Sequence, residues 1–253
     1  MNQVKIRKLV FGEGRPKICV PITGRTREEI ALRTAELKAA KPDLAEWRAD
    51  WYEEVFDREK LETTLAWLRE ELGELPLLVT FRTREEGGEQ SVSTEDYAAF
   101  LRTVLMSGQA DLIDVELFRG EELLRDICKE AKAQGVKVIA SSHDFEKTPA
   151  KEEILARLIR MQDCGADLLK LAVMPQDAAD VLTLLSATLE MSEKYAKQPV
   201  VTMSMGAKGA VSRLAGEVFG SAMTFGSAGV ASAPGQVSVP ELKMALEVLR
   251  QGK

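Results

Sequence analysis

The sequence contains one histidine, His143, and three cysteines, Cys19, Cys128 and Cys164. A metal centre built on several imidazoles is therefore excluded, and a zinc site would need clustered thiolates that this spacing does not offer. The odd, widely spaced cysteines exclude a disulfide framework and a CxxC knuckle, and point to reduced thiols in a cytoplasmic protein. No apolar run approaches the roughly 18 residues that cross a bilayer, so no membrane partner is expected. The opening MNQVKIRKLVFGEG has none of the apolar stretch of a signal peptide. Basic residues are outnumbered: 34 Lys and Arg against 40 Asp and Glu give a formal charge of −6. That balance argues against a nucleic-acid binder, which would carry a basic stripe. Also missing is a G-x-G-x-x-G turn after the first β-rich run, which ends in PITGRTRE, and so a doubly wound dinucleotide-binding sheet is disfavoured.

What is present is a repeat of short apolar runs and longer amphipathic stretches. The runs are KICVPI (17–22), LAEWRAD (44–50), PLLVTFRT (76–83), DLIDVEL (111–117), VKVIASS (136–142), DLLKLAV (167–173), PVVTMSM (199–205) and SAMTFGS (221–227). They start about 30 residues apart, the length of one βα unit. Several are almost continuously apolar, as strands covered on both faces tend to be. Between them, segments such as EKLETTLAWLREEL place apolar residues at helical intervals, with charges opposite. Ser93–Thr94 and Thr148–Pro149 read as helix starts. Eight such units over 253 residues predict a (βα)8 barrel, an α/β fold, with residues 1–253 as a single domain. The initial VKIRKLVFGEG is expected to form an extra hairpin closing one end of the barrel.

Barrels of this kind carry their active sites at the C-terminal ends of the strands. The polar residues expected there are Glu46, Arg48, Arg82, Glu86, His143, Lys170, Arg213, Ser232 and Gln236. In DLLKLAV, Leu168, Lys170 and Ala172 share one face, and Leu169 and Leu171 the other. Leucines against the helices would point Lys170 into the barrel, although alternation alone does not fix which face is inward. A desolvated lysine offers a free amine to a carbonyl, the more so with a cation such as Arg213 beside it. His143 follows the fifth run and suits proton transfer, with Asp144 or Glu86 able to orient its ring. Glu46 and Arg48 share a face and are expected to be paired if buried. Gly87 and Gly88 allow a sharp turn after Arg82. Met203 and Met205 share a parity that would make them apolar wall. Seven glycines between 206 and 235 make the last loops the most glycine-dense part of the chain, and SAGVASAPGQ is expected to act as a closing lid.

These motifs together resemble the type I 3-dehydroquinate dehydratases, cofactor-free (βα)8 enzymes of the shikimate pathway. The resemblance runs from end to end, through EWRAD, TFRTREEGGEQ, SSHDF, KLAVMPQ, TMSMGAKGAVSRLAGEVFGSAMTFG and ASAPGQ. It implies that Lys170 forms a Schiff base with the ketone of 3-dehydroquinate, that His143 moves the proton, and that Glu86 orients the histidine. It further implies that Arg213 binds the substrate carboxylate, with Ser232 and Gln236 reaching in from the lid. Glu46, Arg48 and Arg82 would hold the ring hydroxyls, while Met203, Met205 and Phe225 would line the ring. The same resemblance implies a homodimer. One departure is Pro21, where some members place a serine, which puts any polar contact from that position in doubt. β-Elimination needs an electron sink, a base and an acid, and the iminium with one histidine supplies all three. A carboxylate beside His143 is expected to favour its charged form. An aldolase-like lysine barrel and a non-catalytic metabolite binder compete with this reading. The first would release two smaller products, and the second would have no need of a free amine.

Overall fold

The computed structural model describes residues 2–229 and 235–250. Two short antiparallel strands, β1 (Val4–Ile6) and β2 (Leu9–Phe11), form a hairpin with Val4 opposite Phe11. Among the described residues eight parallel strands follow: β3 (Lys17–Ile22), β4 (Leu44–Arg48), β5 (Leu77–Thr80), β6 (Leu112–Glu116), β7 (Lys137–Asp144), β8 (Leu168–Val173), β9 (Val200–Ser204) and β10 (Met223–Ser227). Neighbours pair in chain order from β3 to β9, and β10 pairs back onto β3. The remaining seam is narrow. A bridge between Val200 and Ser221 and a 2.7 Å hydrogen bond from the Ala222 N–H to the Val200 carbonyl close β9 against the entry to β10. A two-residue strand, β11 (Val237–Ser238), extends the pairing beyond β10.

Helices α1 (Arg27–Ala40), α2 (Arg58–Leu72), α3 (Thr94–Ser107), α4 (Glu121–Gln134), α5 (Lys151–Asp163) and α6 (Ala178–Glu190) each follow one strand from β3 to β8. After β9 come two short ones, α7 (Ala210–Leu214) and α8 (Gly216–Phe219), and α9 (Val239–Arg250) ends the described chain. Side chains of Thr26, Asp57, Ser93 and Asp177 accept from backbone N–H groups of α1, α2, α3 and α6, satisfying donors that a helix leaves unpaired at its start. The start expected at Thr148–Pro149 lies further on. α5 begins at Lys151 without a side-chain cap, because the Thr148 hydroxyl instead donates to the Met174 carbonyl at 3.1 Å.

The packing forms two concentric shells. Between sheet and helices lie Trp47, Val79, Phe81, Leu169, Leu171 and many others. Inside the barrel lie Cys19, Leu44, Leu78, Leu112, Ile139, Leu168 and Met223. Leu168 inside and Leu169 outside settle the parity of β8. Val4, Ile6 and Phe11 of the hairpin pack on the inner shell, at the end where the strands begin. The hairpin is held there by Arg7, whose Nε donates to Asp111 at 2.7 Å.

Candidate active site

Above the apolar floor the inner positions turn polar. Glu46 of β4, Thr80 of β5, Asp114 of β6, Ser141 of β7 and Lys170 of β8 are each one inward step further along their strands, and all are buried. The Lys170 Nζ lies 3.3 Å from Asp114 Oδ2 and 3.8 Å from Glu46 Oε1. It also sits 4.6 Å from the centroid of the Phe225 ring. The amine thus has two carboxylates beside it.

One further step brings Arg48, Arg82 and His143 to the mouth. Arg48 is paired two-pronged with Asp50, both contacts 2.8 Å. Burial works against that charge, but the Asp50 carboxylate outweighs it and holds the guanidinium above its ordinary value. Arg82 meets Asp114 at 2.8 Å, Glu116 at 2.8 Å, Ser141 at 3.0 Å and Glu86 at 3.4 Å. Burial opposes its charge too, and is overcome by Asp114, Glu116 and Glu86. β5 leaves the ladder after Thr80, so the Arg82 N–H is free to donate to Asp50 at 3.2 Å.

Glu86, not Asp144, partners the histidine. Its Oε2 accepts from the His143 backbone N–H at 3.0 Å and lies 2.8 Å from Nδ1. Because Oε2 already accepts one proton, Nδ1 is the donor to it, which leaves the Nε2 lone pair for chemistry. Asp144 instead accepts from the N–H groups of Glu146 and Lys147 in the following turn. A carboxylate stands beside His143 as expected, but it does not set the net direction of the ring's shift. Burial, joined by Arg82, Lys170 and Arg48, holds the imidazole well below its usual range. Burial and the charge of Glu116 push Glu86 up in turn, against Arg82.

The loop that delivers Glu86 is shaped by two glycines. Gly87 has φ +84°, and a Cβ on Gly88 would fall 1.9 Å from the Arg82 carbonyl oxygen. Arg213 of α7 is buried, with one terminal nitrogen 3.6 Å from the Met203 sulfur. Burial lowers it to about 10, so it remains a cation at neutral pH.

All these groups face one cavity. Glu46, Arg48, Arg82, Glu86, His143, Lys170 and Arg213 line it, with Met203, Met205, Phe225 and Gln236. Of the residues singled out from sequence only Ser232 is not placed; it lies outside the described residues, as does half of the segment expected to form a lid. Pro21 is half-buried in β3 opposite Glu46, bringing a ring and no hydroxyl to that position. Sequence reasoning passed over Gly87, Phe145 and Ala172 as lining residues. It also passed over Asp50, Asp114 and Glu116 behind them. The last two alternate within DLIDVEL, a pattern of carboxylates that a buried strand accommodates only against inward cations.

Fold and cavity define a class: (βα)8 barrel enzymes with a lysine amine inside the mouth, beside an imidazole and several guanidinium groups. The chain belongs to the type I 3-dehydroquinase family, whose profile matches residues 18–253. It is 53% identical to the 3-dehydroquinate dehydratase of Syntrophotalea carbinolica over 249 residues, 98% of each chain. The enzyme of Bacillus licheniformis is 52% identical over 248 residues, again 98% of each. Among solved structures, the type I 3-dehydroquinate dehydratase of Clostridium difficile, determined with covalently modified comenic acid, has a TM-score of 0.96 and 48% identity, covering 100% of this chain and 99% of that one.

Proposed function

We infer that Lys170, His143 and the guanidinium groups of the mouth carry out the reaction of this family, the elimination of water from 3-dehydroquinate to give 3-dehydroshikimate in the shikimate pathway. The observation that carries the assignment of residues is the buried amine of Lys170 in one cavity with the free Nε2 edge of His143. The amine adds to the substrate ketone and expels its oxygen as water, leaving an iminium. Nε2 then takes the proton from the adjacent carbon, and the electron pair moves into the iminium to give an enamine. The enamine returns that pair and releases the neighbouring hydroxyl, protonated by the imidazolium, as a second water. Hydrolysis frees the enone and restores Lys170. A positioned acid–base group of this kind is worth about 10² to 10⁴ in rate. Burial and the nearby cations favour the uncharged ring, the form that the first transfer needs.

Arg213 suits the carboxylate, since a fixed cation in a nearly dry setting against Met203 binds an anion more strongly than it would in water. Glu46, Arg48 and Arg82 hold the ring hydroxyls, Met203, Met205 and Phe225 pack on the ring, Gln236 joins Arg213 in serving the carboxylate, and the family resemblance gives Ser232 the same task. Three buried cysteines, all free, fit a cytoplasmic setting, and the family resemblance supports a homodimer. The whole of residues 1–253 acts as one catalytic domain in this reading. An ultraviolet assay on 3-dehydroquinate, without added metal or cofactor, tests it. A conjugated enone of unchanged carbon skeleton should grow with the wild type and not with Lys170→Ala. Unimpaired turnover by that variant, or two smaller products, would overturn the assignment.

A further inference from the structure

Asp114 has no place in the steps above, yet it is the group nearest to Lys170. It is fully buried. Oδ2 faces the amine at 3.3 Å, while Oδ1 is fixed by Arg82 at 2.8 Å and by the Ser141 hydroxyl at 2.6 Å. Its backbone carbonyl accepts from the Tyr97 hydroxyl at 3.4 Å. No other carboxylate in the mouth is bound so tightly on one side and turned so directly to the amine on the other. Glu46 is further, at 3.8 Å, and its near oxygen also accepts from Thr80 at 2.9 Å. Burial alone would neutralise Asp114, but Arg82, Lys170 and the Ser141 hydrogen bond outweigh it and hold the carboxyl below its usual range.

The reaction gives such a fixed anion a specific task. Condensation converts R–NH3+ and a ketone into R–NH+=C and water. The carbon–oxygen double bond breaks and a carbon–nitrogen double bond forms. Two of the three ammonium protons leave with the oxygen, and one proton and the whole positive charge stay on nitrogen. A carboxylate beside that nitrogen therefore meets the same charge before and after, and stabilises both without rearranging. We propose that Asp114 is a positioning residue that serves as the buried counter-ion of Lys170, first for the ammonium and then for the Schiff-base nitrogen that replaces it. By keeping the imine protonated it preserves the form that withdraws electrons. Arg82 and Ser141 aim the carboxylate, so Arg82 acts on the lysine through Asp114 as well as facing the cavity. This inference rests on the Schiff-base reading of Lys170.

Asp114→Asn keeps the shape and the acceptor oxygen for Arg82 and Ser141 while removing the charge. Wild type and variant are mixed with 3-dehydroquinate and cyanoborohydride, which reduces iminium ions, and the adduct is followed by intact mass. In parallel, calorimetry measures binding of the alcohol formed by reducing the substrate ketone, which cannot make an imine. The adduct should form about ten- to a hundredfold more slowly in Asp114→Asn, the loss of one buried charge-assisted contact, with affinity for the alcohol changed by less than about threefold. Equal trapping rates would overturn the proposal, and so would equal losses in trapping and alcohol binding, which mark a merely structural role. Ser141→Ala keeps the charge but loosens its aim, and should slow trapping by about three- to tenfold, less than Asp114→Asn does. Trapping as fast as wild type there would overturn the proposal even if Asp114→Asn fails to fold. No adduct with wild-type protein would refute the Schiff-base reading itself.

Discussion

Asp50 is fully buried and accepts four hydrogen bonds: two from the Arg48 guanidinium, and one each from the N–H groups of Arg82 and Glu89 at 3.2 Å. It therefore fixes a guanidinium of the mouth and both ends of the loop that carries Glu86. Asp50→Ala would strand a nearly buried cation, whose side chain is only 12% exposed, and orphan two backbone donors. Breaking a buried pair by removing one partner costs about 3–5 kcal/mol. Asp50→Asn keeps one acceptor oxygen for the Arg82 N–H but turns an amide donor toward Arg48 or Glu89, so about half of that loss is expected. Urea unfolding followed by circular dichroism gives both values. Steady-state kinetics should show a raised KM as Arg48 loses its aim, and hydrogen exchange should quicken at the Glu89 amide. A loss below about 1 kcal/mol for Asp50→Ala, with exchange at Glu89 unchanged, would refute the reasoning, because it lies outside what a buried charge pair can give.

The Glu86–His143 pair predicts opposite pH slopes in its two variants. His143 is depressed, so its contribution to stability is present above about pH 6.5 and is lost as pH falls. Glu86 is raised, so its contribution is present at acid pH and is lost as pH rises through its folded value. Glu86→Gln should thus lose stability from pH 7 to pH 5, by up to about 1.4 kcal/mol per unit, while His143→Gln should gain, as measured by urea midpoints across that range. Gly88→Ala should destabilise by about 1–3 kcal/mol, since its Cβ would meet the backbone of Arg82 rather than a yielding side chain; kcat should fall with it as Glu86 shifts. Phe11→Ala should lower stability by about 3–5 kcal/mol in the same unfolding assay while leaving KM unchanged, because the ring packs on the barrel floor, away from the mouth.

The barrel strands were legible because strands covered on both faces are written as nearly unbroken apolar runs, and the site because polar residues interrupt those runs near their ends. Lys170 stood out for that reason. Its inward direction did not, since a two-residue period is symmetric and only the packing of Leu169 and Leu171 on the helices decides it. The split of the chain after β9 into α7 and α8 was hidden in a glycine-dense stretch with no clear period. Long-range partners were hidden most. Asp114 and Lys170 are 56 residues apart, and only barrel closure sets them face to face. Electrostatic sign went the same way. One carboxylate near His143 suggested a charged ring, whereas burial and three cations, assembled from β4, β8 and the turn after β5, push the net shift the other way.

The hairpin seated under the strands also governs traffic. With Val4, Ile6 and Phe11 filling the lower end of the axis, the described barrel is a vessel with its door at the top. Ring, product and water all pass that door, so a product must clear it before the next substrate enters. In the proposed route the water set free on condensation and the water consumed on hydrolysis balance. Only the eliminated water has to be exported in each cycle.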